Sequence, residues 1–278
     1  MYKKIAEYHY IGSKVLLHDT VPFRCRFCGQ EKEAAAFKKI AHAVSEGLGN
    51  KCIITSYECD ECNEQFANYE ENEITRLFKF YKTLRGLKGK NGIIKEHGGN
   101  FSYTENGTFS AEIDMNKKKF DVSIGIAPNG TVAPIFSKQQ TINFKLVYKA
   151  LVKFALSVVP ESISIELEDG YKCLHEKRDF PSYTGTMLLF HEYLKNPGIA
   201  IYQRTLAAEL PKYFSSIDIY QMKYIIPLEF QKPTLSTPVE LIGNLDIPLE
   251  TPFDFCKFDY SSEHSTIIQK EQPYSKLC

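Results

Sequence analysis

Two Cys-x-x-Cys pairs constrain this chain more than any other feature: Cys25 and Cys28 in RCRFCGQ, and Cys59 and Cys62 in ECDECN. Each pair is a knuckle that turns two sulfurs toward one point. Two knuckles in sequence match the zinc-ribbon arrangement, in which four thiolates close a tetrahedral site. A redox pair would call for one such motif on a thioredoxin-like βαβ unit, and the second knuckle argues against it. The expectation is one structural zinc held by Cys25, Cys28, Cys59 and Cys62. Such a site does no chemistry itself, because its coordination is full. It fixes whatever the intervening segment presents. Cys52, Cys173, Cys256 and Cys278 lack a partner at ligand spacing and are expected to be buried or incidental thiols.

Composition narrows the class. The chain has 278 residues, 43% hydrophobic and 24% charged, which suits one large or two modest globular domains. No run of about 18 consecutive apolar residues is present, so no membrane span is expected. MYKKIAEYHYIGSK has neither the apolar core nor the cleavage site of a secretory signal. A cytoplasmic protein with reduced thiols follows. The Asn-Gly-Thr triplets at Asn106 and Asn129 then read as hairpin turns rather than glycosylation sites. The 34 basic and 34 acidic residues cancel, so no global field draws in nucleic acid. A local one exists. Between Ile74 and Lys95 the chain carries Arg76, Lys79, Lys82, Arg85, Lys88, Lys90 and Lys95 with no acid.

The segment between the knuckles predicts two strands, Phe37–Ala41 and Lys51–Tyr57, joined by a turn at Gly47, Gly49 and Asn50. His42 closes the first strand. After the second knuckle Asn63 is expected to open a helix, with Phe66, Tyr69, Ile74, Leu77, Phe78 and Tyr81 at helical spacing up to about Leu84.

In order and spacing, Cys25-x-x-Cys28, Ala41-His42, Gly49-Asn50 and Cys59-x-x-Cys62-Asn63 resemble the HNH endonucleases, in particular the bacterial subgroup with a four-cysteine zinc. The resemblance implies a zinc-bound ββα-metal domain over residues 23–88. It implies that His42 is the general base, that Asn50 fixes the loop carrying it, and that Asn63 holds a catalytic magnesium or manganese. The implied activity is hydrolysis of DNA phosphodiester bonds. One position departs from the family pattern: Ala41 stands where an acidic metal ligand is common. Glu70, two helical turns beyond Asn63, is the candidate for the missing carboxylate. With a phosphate-handling site beside it, the basic run acquires a role, and Arg76, Lys79, Lys82 and Arg85 are expected to contact the DNA backbone.

Beyond a Lys- and Gly-rich linker near residue 89, the chain reads as strands and turns. One apolar helix interrupts them, Ile142–Val159, with Lys145, Lys149 and Lys153 four apart. The fold class expected is α+β: an extension over residues 1–22, the HNH domain over 23–88, and a separate α+β domain over 89–278 that selects targets or senses a regulatory ligand or partner protein. A nuclease so built suggests phage defence or a mobile element. The rival class is a non-catalytic zinc module that binds nucleic acid or a partner protein, and Ala41 is its best support. His9, His18, His97, His175, His191 and His264 have no partner spacing and are expected to be structural or surface residues.

Overall fold

The computed structural model describes residues 2–84, 88–89, 92–93, 99–103, 109–113, 121–126, 132–190, 194, 196–206, 210–230, 245 and 253–271. Its elements run β1 (Tyr2–His9), β2 (Val15–Leu17), β3 (Ala41–His42), β4 (Ile53–Thr55), α1 (Asp60–Asn68) and α2 (Glu70–Leu84). Six strands follow: β5 (Lys88–Gly89), β6 (Gly92–Ile93), β7 (Gly99–Tyr103), β8 (Phe109–Ile113), β9 (Asp121–Ile126) and β10 (Val132–Ile142). Then come the helices α3 (Phe144–Val158), α4 (Glu161–Ser164) and α5 (Glu168–His175). The last strands are β11 (Thr184–Phe190), β12 (Gly198–Arg204), β13 (Tyr213–Ile219), β14 (Met222–Pro227), β15 (Phe253–Asp259) and β16 (Ser265–Glu271). The chain is of mixed α+β class.

It divides into two compact units, Met1–Asn72 with Phe144–Ser262, and Glu73–Asn143 with Glu263–Cys278. The sequence places divisions near residues 22 and 89, whereas contacts place them within α2 and at the edges of α3 and β16. Residues 2–17, read from sequence as an extension, supply β1 and β2 to two different sheets of the first unit.

That unit is built on an antiparallel sheet of order β1-β12-β13-β14-β11-β15. In register, Tyr202 faces Phe214, and their rings stack at 4.5 Å. Tyr2, Leu188, Phe190, Ala200 and Ile225 join them in one core cluster. Residues of the other parity, Ile199, Ile201, Ile217 and Ile226, are buried as well, and α3 packs against β12 and β13. Both faces are therefore covered. This is why β13 is buried at all seven positions instead of alternating with solvent as its sequence pattern suggests.

The segment bearing the cysteines forms a small sheet of order β2-β4-β3, with β2 parallel and β3 antiparallel to β4. The order β3, β4, α1 is the expected ββα layout, in shorter pieces. The first strand begins at Ala41, not Phe37; a 3-10 turn, Ala34–Ala36, and four irregular residues precede it. The helix begins at Asp60 with Cys59 as its N-cap, so Asn63 lies inside its first turn rather than opening it. The expected continuous helix is also broken: Tyr69, at φ −116° and ψ −79°, separates α1 from α2. The apolar repeat runs unchanged through the break, which is why the sequence does not reveal it.

The second unit contains a sheet of order β16-β10-β9 and the antiparallel pairs β5-β6 and β7-β8. Tyr103 pairs with Phe109 and Ile126 with Val132, as hairpins around Asn106-Gly107 and Asn129-Gly130 require, though both turns lie outside the described residues.

Candidate metal centre

The two knuckles meet. The sulfurs of Cys25, Cys28, Cys59 and Cys62 all lie within 4.8 Å of one another, and among the described residues this is the cluster of His, Cys, Asp or Glu side chains placed to hold a metal ion. Local backbone explains the meeting. The amide of Gly29 donates to the Cys25 carbonyl and that of Cys25 to Gln30, closing a tight turn that puts Gly29 at φ +71°. Cys59 caps α1, and its amide points at Cys25 Sγ from 3.5 Å. Two thiols at a helix N-terminus sit where the helix dipole favours negative charge.

The donor set suits a metal such as zinc. Tetrahedral zinc–sulfur bonds of about 2.3 Å place sulfurs about 3.8 Å apart, a spacing that fits within the 4.8 Å spanned here. Crowding also shows in the thiol protons. Hydrogen bonds from Cys25 and then Cys62 hold Cys59 far below the ordinary thiol range. Cys25 and Cys59 push Cys62 far above it, and Cys59 raises Cys25 to about 12. Three thiols that must share protons this unevenly are relieved by a dication. The surroundings add support: Lys32 Nζ lies 3.3 Å from Cys59 Sγ and 2.8 Å from Glu61, and His175 Nδ1 lies 3.9 Å from Cys62 Sγ. His175, expected to be a structural or surface residue, is thus a neighbour of the cluster.

The segment between the knuckles is equally determined. Asn50 is fully buried. Its Nδ2 donates to the carbonyls of Val44 and Ile53 at 2.9 and 3.0 Å, and its Oδ1 accepts from the amides of Cys52 and Ile53 at 3.1 and 2.9 Å. One amide side chain therefore closes the turn between β3 and β4, assisted by Gly49 at φ +105°. His42, half-buried, stands on β3 opposite Ile54. Asn63, half-buried, follows Cys62 on α1.

No family model, curated protein or solved structure matches this chain.

The remaining expected residues are placed less favourably for their roles. Ala41 is wholly buried and carries no oxygen on its side chain. Glu70 is 2% exposed, across the Tyr69 break from Asn63; burial raises its carboxyl, with Lys149 and Lys177 acting against that. Arg76 is exposed but pairs with Glu73 of its own helix. Lys79 is half-buried, and Lys82 is 5% exposed with its ammonium destabilised by burial. Arg85 lies outside the described residues. The row is not a uniformly exposed cationic face.

A buried ionic cluster escapes sequence reading. Lys153 on α3 is completely enclosed and lies 3.2 Å from Glu58, itself enclosed, and 2.8 Å from Glu71. Burial disfavours its charge, but Glu58 and Glu71 outweigh that and hold its pKa above the usual lysine value. Burial pushes the Glu58 carboxyl up to about 7, against the pull of Lys153. A signal does exist in the sequence: a lysine set in KALVKFALSVV has apolar neighbours on every side and needs a partner from elsewhere.

Proposed function

We propose that this chain is a zinc-scaffolded endonuclease that hydrolyses DNA phosphodiester bonds, with His42 as general base. The observation that carries the reading is the four-cysteine cluster closing around β3, β4 and α1. It supports a short strand ending in a histidine, a turn pinned by Asn50, and an asparagine directly after the last cysteine. Zinc would be held by the four cysteines and would supply rigidity rather than chemistry. A neutral imidazole titrates near physiological pH and suits removal of a proton from an attacking water.

The described residues near Asn63 do not by themselves make a magnesium or manganese site. Ala41 offers no oxygen, and Glu70 is buried with Lys149 and Lys177 bearing on it. A neutral amide oxygen holds a hard dication weakly. No step is therefore assigned to that ion, and the proposal rests on the histidine. Ala41 favours a second reading, in which the zinc module binds nucleic acid or a partner protein without cutting.

Supercoiled plasmid, incubated with magnesium or manganese, separates the two. The wild type should nick or linearise it, and His42→Ala should cut slower by about 10²–10⁴ while keeping its zinc and its melting curve. Equal cutting by both proteins, or none by the wild type, defeats the nuclease reading; DNA binding without cutting favours the second.

A further inference from the structure

We propose that Lys153, from a helix more than a hundred positions along the chain, is a positioning residue for His42. Its ammonium lies 3.1 Å from the backbone carbonyl of His42, 3.2 Å from Glu58 and 2.8 Å from Glu71. An enclosed lysine must overcome a desolvation penalty of several kcal/mol, and it does so only with acceptors for its three protons. Lys153 bonds Glu71 and the His42 carbonyl and forms an ion pair with Glu58. Two carboxylates already suffice for the charge, so the bond to the backbone carbonyl is where the geometry becomes informative.

β3 is two residues long and forms the edge of its sheet. It pairs with β4 on one side. Lys153 gives the His42 carbonyl the donor that a further strand would otherwise supply. The same ammonium also grips Glu58, immediately before Cys59, and Glu71, in the first turn of α2. It therefore joins the strand bearing His42 to the corner that leads into the zinc helix. A backbone held at its carbonyl has little freedom to swing its side chain, and misplacement of a base by about 1 Å can slow a reaction a hundredfold.

This rests on the reading of His42 as the base, and the test keeps the two apart. Lys153→Met alone would strand Glu58, so the informative protein is Lys153→Met with Glu58→Gln; Glu71 retains some exposure. Two readouts are taken on the zinc-loaded full chain: plasmid cleavage, and the histidine ring signals by NMR, with His42 identified as the signal missing from His42→Ala. The double variant should keep one zinc and a cooperative melt, lose roughly a hundredfold in kcat with little change in KM, and shift or broaden the His42 signal while those of His9 and His18 stay put. An unmoved His42 signal overturns the proposal. So does loss of zinc or of the cooperative melt, which would make Lys153 a structural residue only. If the wild type cuts nothing, the nuclease reading falls, and the His42 signal still decides what Lys153 does.

Discussion

Asn50 has no hydrogen-bonding capacity left over. Its four bonds to backbone at 44, 52 and 53 replace contacts a longer strand pair would make, and the side chain is sealed from water. Removing it orphans the amides of Cys52 and Ile53 and the Val44 carbonyl at once, while the Ile53 carbonyl keeps the Ala43 amide. With about 0.5–1.5 kcal/mol per bond and a further penalty for unsatisfied buried groups, Asn50→Ala should lower stability by roughly 3 kcal/mol. Asn50→Asp should do no better, since it sets a carboxylate against two carbonyl oxygens. Urea unfolding monitored by circular dichroism measures both; a change under about 1 kcal/mol would show that the turn holds without the side chain. Asn50 was legible in the sequence because all its partners lie within six positions of it. Lys153 was legible only in part: its apolar neighbours call for a partner, but the groups it bonds lie 82 and 111 positions away and nothing local names them, whereas the ammonium of Lys145 reaches the exposed Asp179.

The knuckled segment has strands of two and three residues, too short to persist as a sheet in water. Metal must supply what pairing does not. One zinc per chain is expected by elemental analysis. Cys59→Ser, which removes a ligand while leaving a good N-cap residue on α1, should abolish stoichiometric zinc and the cooperative melt, as should a strong chelator. The scale justifies this: zinc binding to such sites is worth about 10–16 kcal/mol, comparable to the whole stability of a typical domain. Purified protein that melts cooperatively without metal would contradict the assignment. Among elements, the cysteine spacing, the strand–strand–helix order and α3 could be read from sequence because each is periodic or local. The break at Tyr69 could not, nor could the burial of β13 on both faces. Those depend on what packs there, and the covering helix lies far off in sequence.

At the scale of the molecule, the knuckled segment shares its core with distant elements of its own unit. Arg26 donates to the Val159 carbonyl at 2.6 Å, pairs with Asp19 and lies over the Tyr57 ring. The Tyr57 hydroxyl donates to the Ser157 carbonyl, and Phe27 packs edge-on between Phe66 and Tyr171. A fragment of residues 23–88 would expose Phe27, Tyr57 and the half of Glu58 that faces Lys153. Even with zinc it should show little cooperative melting and broad amide signals, whereas in the full chain the unit that contains it should melt cooperatively. A sharp melt from the zinc-loaded fragment would establish the segment as an autonomous domain. The six-stranded sheet has a parallel consequence for how the chain is made. Its two edges, β1 and β15, are drawn from residues 2–9 and 253–259. On a ribosome, the first strand is released long before β12 exists to receive it, and the far edge arrives last of all. Pairings so distant in sequence fold slowly. In the interval β1 waits as an unpaired strand, so of the six strands in this sheet the one most in need of shelter during synthesis is the earliest made.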